Sequence, residues 1–147
     1  MTQETNRLTQ LLEEMENLFS THSIVDFDVK PFDSAWSKKE ILGHLIDSAL
    51  NNIQRFTEIQ YSEKPYQVRK YNPDELVKAN NYKYKDNGDL FQLWLHLNKQ
   101  ISFIMHNQTQ TALQYSIILP DGQPKDLRFL LIDYIEHLEH HLNQIKS

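Results

Sequence analysis

The sequence contains no cysteine, and only three glycines occur among its 147 residues. Without cysteine there is no disulfide framework, no zinc ribbon and no thiol nucleophile, and the chain fits a reducing cytoplasm. So few glycines, set among long stretches of helical periodicity, point to an all-helical fold. No apolar run approaches the roughly 18 residues that a membrane span needs. The stretch "MTQETNRLTQLLEEM" has no apolar core of signal-peptide length. A cytoplasmic protein without a membrane partner is the expectation. Basic clusters are scarce too. The densest are Lys38-Lys39 and Arg69-Lys70, in a chain of net charge −5 and pI about 5.8. Phosphate backbones want a basic stripe, so nucleic acid is not expected as the main partner.

What is present is enough apolar material for one core. Hydrophobic residues make up 39% of the chain, and 2 Trp, 7 Tyr and 7 Phe are among them. The length suits a single domain over residues 1–147. Leu8, Leu11, Leu12, Met15, Leu18 and Phe19 recur at helical spacing and predict a first helix from about Thr5 to Ser20. "THSIVDFDVKPFDSA" reads as a loop. In "WSKKE", Ser37 and Glu40 form a capping box, with Trp36 and Ile41 as its hydrophobic staple. The helix it starts should run to about Gln60.

Residues 61–88 carry Tyr61, Tyr66, Tyr71, Tyr82 and Tyr84 and form a crossover too long for a simple helix–helix turn. It reads either as a packed cover over one end of the bundle or as a pocket wall or dimer surface. Within it, "NPDE" marks a short helix capped by Asn72, with Pro73 in its first turn. A third long helix should begin near Asp89, with an apolar stripe of Leu90, Leu93, Trp94, Leu97, Ile101, Ile104 and Met105. A short extended run and an Asp121-Gly122 turn precede the last helix, expected from Asp126 to Lys146. Four long amphipathic helices with a long crossover between the second and third indicate an all-α four-helix bundle.

Seven histidines remain to be explained, three of them inside "EHLEHHLNQI". At 100° per residue, His141 lies about 40° from His137 and one turn further on, whereas His140 lies about 60° to the other side. The cluster is therefore an i,i+4 pair plus a neighbour turned toward solvent. Such a pair can present two imidazoles to one ion, but about 0.3 pairs of this spacing arise by chance at this histidine content. The HExxH and HxxEH patterns both fail, since position 138 is leucine and position 140 histidine. A third ligand is needed. His44 is a candidate. Ser48, Asn51 and Arg55 share its side of the second helix, with Asp47 flanking as an exposed salt-bridge partner or proton acceptor. A merely solvated face would favour Lys and Glu. From the residues alone, a metal site and a set of unrelated histidines both stand.

"WSKKEILGHLIDSALNNIQRF" together with "LLIDYIEHLEHHLNQI" resembles the DinB-like superfamily of bacterial four-helix bundles, which includes YfiT-like proteins regarded as metal-dependent hydrolases. The resemblance spans roughly Leu8 to Ile145. It implies that His44, His137 and His141 bind a divalent metal, with nickel or zinc ahead of manganese or iron. It also implies a hydrolase working through a metal-held water, or a thiol-dependent S-transferase or isomerase using a low-molecular-weight thiol. A non-catalytic metal- or ligand-binding stress-response bundle is the remaining alternative. Ser48, Asn51 and Arg55 are then candidates to line the pocket of a small-molecule substrate. Asp133 and His140 are candidates to support the ligands from outside. Because imidazole must be neutral to bind, metal occupancy is expected to fall as pH drops through about 6 to 5. A homodimer is the default expectation for a bacterial oligomer.

Overall fold

The free backbone N–H groups at a helix start need acceptors, from side chains or water, and the sequence supplies a side-chain cap at every α-helix but the first. The computed structural model describes all residues from Met1 to Ser147. Its α-helices are α1 (Thr2–Ser20), α2 (Lys38–Ile59), α3 (Pro73–Asn80), α4 (Asn87–His106), α5 (Gln110–Leu113) and α6 (Leu127–Lys146). At the start of α2, Ser37 Oγ accepts from the Glu40 N–H at 3.1 Å and Glu40 Oε1 accepts from the Ser37 N–H at 3.2 Å. A cap of this kind contributes about 1 kcal/mol. At α3, α4 and α6 the cap is one-sided: the side chains of Asn72, Asp86 and Asp126 accept from the N–H groups of Glu75, Asp89 and Phe129.

The bundle consists of α1, α2, α4 and α6. Both α1 and α2 pack against α4 and α6, so consecutive helices α1 and α2 occupy opposite corners. Short connections join neighbouring helices. A link to the opposite corner needs length, and residues 21–37 provide it. That segment crosses the end of the bundle where α2 begins and α6 finishes, marked by Lys38 Nζ donating to Ser147 O at 2.6 Å. The helices α2 and α6 therefore run antiparallel.

Leu8, Leu42, Ile46, Phe56, Trp94, Ile101, Leu131 and Leu138 are fully buried in one continuous core. Asn98 is buried among them. Its carboxamide oxygen accepts from the Tyr134 hydroxyl at 2.7 Å and its nitrogen donates to Trp94 O at 2.9 Å, joining α4 to α6 through the core. The apolar stripe of α4 is broader than its periodicity predicts. Phe91, Leu95 and Asn98 are buried as well, while Leu93 is exposed, because α4 faces two helices rather than one.

Between α4 and α6, the extended run expected before the Asp121-Gly122 turn is β2 (Ser116–Ile118), and the turn leads into a second strand, β3 (Pro124–Asp126), which pairs with it as a hairpin. Gly122 takes a φ of +88°, a conformation open to glycine at no steric cost. The crossover contributes β1 (Tyr66–Gln67), which pairs in parallel with β2. Two residues carry no periodicity, so this third strand left no mark in the sequence. The crossover also packs tightly on α2. The Tyr82 ring lies over Gly43, where a Cβ would sit 2.2 Å from Tyr82 Cδ2. Of the two readings of the crossover, Val77 and Tyr82 fit the packed cover, being buried, while Tyr61 and Tyr84 stay exposed.

Candidate metal centre

Antiparallel packing of α2 on α6 brings His44 opposite the His137–His141 pair. Ring centroids are 5.2 Å apart for His44–His137, 4.8 Å for His44–His141 and 4.6 Å for His137–His141. The three imidazoles stand edge to face, and their ligand atoms lie within 4.8 Å of one another. His44 Nε2 and His137 Nε2 are 3.3 Å apart. Two imidazoles on a tetrahedral ion with bonds of about 2.05 Å would hold their nitrogens about 3.4 Å apart. The spacing of that pair therefore fits an ion, and a modest closure of His141 would complete the set.

Protonation favours the same reading. Burial pushes His44 down to about 4, and the facing His141 and His137 push the same way. Burial likewise takes His137 down to about 4, helped by His141 and His140. His141 is lowered by burial, with its bond to Gln144 opposing. Near neutral pH all three are uncharged and hold lone pairs. Proton competition is thus weaker than for ordinary histidines, most of all at His44 and His137. The orientation of His141 is set by Gln144, whose Oε1 lies 2.8 Å from Nδ1. An amide oxygen only accepts, so Nδ1 carries the proton and Nε2 keeps its lone pair. His44 Nδ1 is buried without a hydrogen-bond partner. The Trp36 ring packs beside the His44 ring at 5.0 Å.

The other sequence candidates are placed differently. Ser48 is buried, and its carbonyl accepts from the Asn52 side chain at 2.8 Å. The Asn51 side chain turns back to donate to Asp47 O at 2.8 Å. Arg55 donates to Arg69 O and to Asn52 Oδ1. Asn51 and Arg55 do line a polar recess of about 230 Å³, but with Gln54, Tyr66, Arg69 and Lys70 and with none of the three histidines. Asp133 makes no hydrogen bond to an imidazole and no ion pair; burial and Glu136 raise its carboxyl while Arg55 lowers it. His140 is exposed, its ring 5.0 Å from that of His141.

Asp47 corrects an expectation. It is 2% exposed rather than a surface ion-pair partner. Its Oδ1 accepts from the Tyr82 hydroxyl at 2.6 Å and from Asn80 Nδ2 at 2.9 Å. Helical angle alone placed Asp47 toward solvent, because the crossover that covers it arrives from more than thirty residues away. Gln144 and Trp36 were also missed as neighbours of the site. An i,i+3 spacing from His141 was the one available signal for Gln144.

The chain matches the family model of the DinB superfamily over residues 3–145. It is 27% identical over 115 residues to a protein of Halalkalibacterium halodurans named "Putative metal-dependent hydrolase BH0277"; the match covers 78% of this chain and 66% of that protein. Its fold is similar to that of YfiT from Bacillus subtilis, described as "a probable metal-dependent hydrolase with an unusual four-helix bundle topology", with a TM-score of 0.81 at 21% identity, covering 99% of this chain and 85% of that one. It is also similar to a point mutant of the mycothiol-dependent maleylpyruvate isomerase, with a TM-score of 0.69 at 12% identity, covering 99% of this chain and 57% of that one. With a family model spanning nearly its whole length, a diagonal four-helix bundle and a histidine triad between α2 and α6, this chain belongs to the DinB superfamily.

Proposed function

We propose that the protein is a metal-dependent hydrolase in which His44, His137 and His141 hold one divalent ion. The observation that carries this reading is the 3.3 Å approach of two uncharged imidazole nitrogens from different helices. Nickel or zinc suits an all-imidazole set better than manganese, which prefers carboxylate oxygens. An ion held by three protein ligands keeps a position open and supplies Lewis acidity and an acidified water to an ester, amide or similar carbon centre. The chain's own residues do the rest. Burial keeps His44 and His137 neutral, Gln144 fixes the tautomer of His141, and Trp36 shields one side of His44 from water.

The name of the Halalkalibacterium halodurans relative supports this reading. A thiol-dependent transferase or isomerase would use the same three imidazoles with a thiol at the open position. Turnover distinguishes the two. A panel of neutral esters should be hydrolysed by the metal-loaded protein, with activity lost on adding a chelator and restored by metal. Activity that appears only when a low-molecular-weight thiol and an electrophile are both supplied would overturn the hydrolase in favour of the transferase. No metal-dependent turnover in either assay would leave a binding protein.

A further inference from the structure

Of the three histidines, His141 lines a recess of about 620 Å³, together with Gln144. That volume lies within the range of small-molecule sites. Its outer wall comes from the connection between α1 and α2, through Val25, Val29 and Trp36, and from Ile41 in the first turn of α2. Val25 is 65% exposed and Val29 57%. Two large apolar side chains left bare beside a polar triad are a cost unless something covers them.

The wall is held in place. Lys39 N–H donates to Phe27 O at 2.9 Å, Lys30 Nζ donates to Ala35 O at 3.1 Å and pairs with Glu40 at 3.2 Å, and Phe27 packs edge-on against Phe19 of α1. The charges in the recess are few. Asp26 repels anions, and the Lys38 ammonium is already held by Val25 O at 2.9 Å and by Ser147 O at 2.6 Å. Arg69 and Lys70, which make no ion pair, line the polar recess beside Arg55 instead. Arg55 lies eleven positions along α2 from His44, about 16 Å of helix rise away.

We propose that the residue 21–37 connection is the specificity wall of the histidine site, and that the substrate offers it a neutral apolar arm, an aryl or medium-chain acyl group. Val25, Val29, Trp36 and Ile41 bind that arm while the reacting centre faces His141. This rests on the hydrolase reading for the reaction but not for the binding. The connection is long because α2 lies diagonally from α1, so the topology that places the triad also supplies its wall.

The test uses the full chain and a neutral fluorescent probe, N-phenyl-1-naphthylamine. Binding should be saturable, and should weaken about tenfold or more in Val25→Asp/Val29→Asp. Val29→Asp alone should weaken it in the same direction, and Phe103→Asp should leave it unchanged. Phe103 is equally bare, at 63% exposed, but lies on α4 outside the recess. An absence of saturable binding, equal binding in the Val29→Asp protein, or an equal loss in the Phe103→Asp protein would overturn the wall. Bound metal, measured on the same samples, should be the same in all variants. In the metal-loaded protein, the preference for a hexanoyl over a succinyl ester should fall in Val25→Asp/Val29→Asp. Probe binding that follows the predicted pattern in a chain that takes up no metal would overturn the hydrolase reading and leave the apolar wall standing.

Discussion

His44 and His137 stand 93 positions apart, yet their nitrogens approach to 3.3 Å. Half of this arrangement was legible in the sequence. The i,i+4 spacing separates His137 and His141 from His140, and the polar side of α2 singles out His44. That the three meet is a property of antiparallel packing, which spacing alone does not contain. Asp47 shows the opposite case. Its burial depends on Tyr82 and Asn80, which the crossover delivers.

The neutral histidines have a consequence for the metal-free protein. His44 and His137 titrate near 4 when folded but near 6.5 when unfolded. Below 6.5 the unfolded chain takes up protons that the folded chain refuses, so stability falls as pH drops from about 6.5 toward 4. Chemical denaturation of metal-free protein across this range should show the midpoint falling with pH. His44→Ala should flatten that dependence. A midpoint that holds steady from neutral pH down to about 4.5 would contradict the buried, neutral state of the triad.

At the scale of elements, α4 starts at Asn87 on an Asp86 cap rather than near Asp89, and α1 starts at Thr2 without a side-chain cap rather than near Thr5. The four long helices themselves, the capping box of α2, the Asn72 cap and the Asp121-Gly122 turn were readable, because capping boxes and turn glycines act through local chemistry. The strand β1, the width of the α4 stripe and the clamping of the crossover were not, because each depends on a distant partner. Gly43 makes the clamp testable. Alanine at a helical glycine ordinarily stabilises by up to about 1 kcal/mol. Here the added methyl would meet the Tyr82 ring at 2.2 Å. Gly43→Ala should therefore destabilise, by about 1–3 kcal/mol as overpacking does. Equilibrium denaturation measures it, and a stabilised variant would show that the crossover does not press on α2. Because Tyr82 also holds Asp47, one turn from His44, the same variant should loosen the helix that carries the third imidazole.

At the scale of the whole molecule, the diagonal placement of α1 and α2 organises the rest. It sets α2 against α6, which assembles the triad, and it sends residues 21–37 across the end of the bundle where the site opens. The sequence signalled a bundle through its four amphipathic stripes. Which corners the helices take is decided by how their faces pair, and a single chain's periodicity is the same for either arrangement. An ion bound between α2 and α6 would link two helices that the chain joins only through the other elements. It would raise stability by about 2.7 kcal/mol when free metal exceeds the dissociation constant a hundredfold.

The direct measurement is a calorimetric titration of untagged, metal-free protein with nickel or zinc near neutral pH, repeated on His44→Ala. About one ion per chain is expected for the native sequence and less than about a tenth for the variant, because a site short of one of three ligands no longer closes. Native protein that takes up less than about a tenth of an equivalent, or a variant that binds as the native chain does, would contradict a metal centre built on His44, His137 and His141.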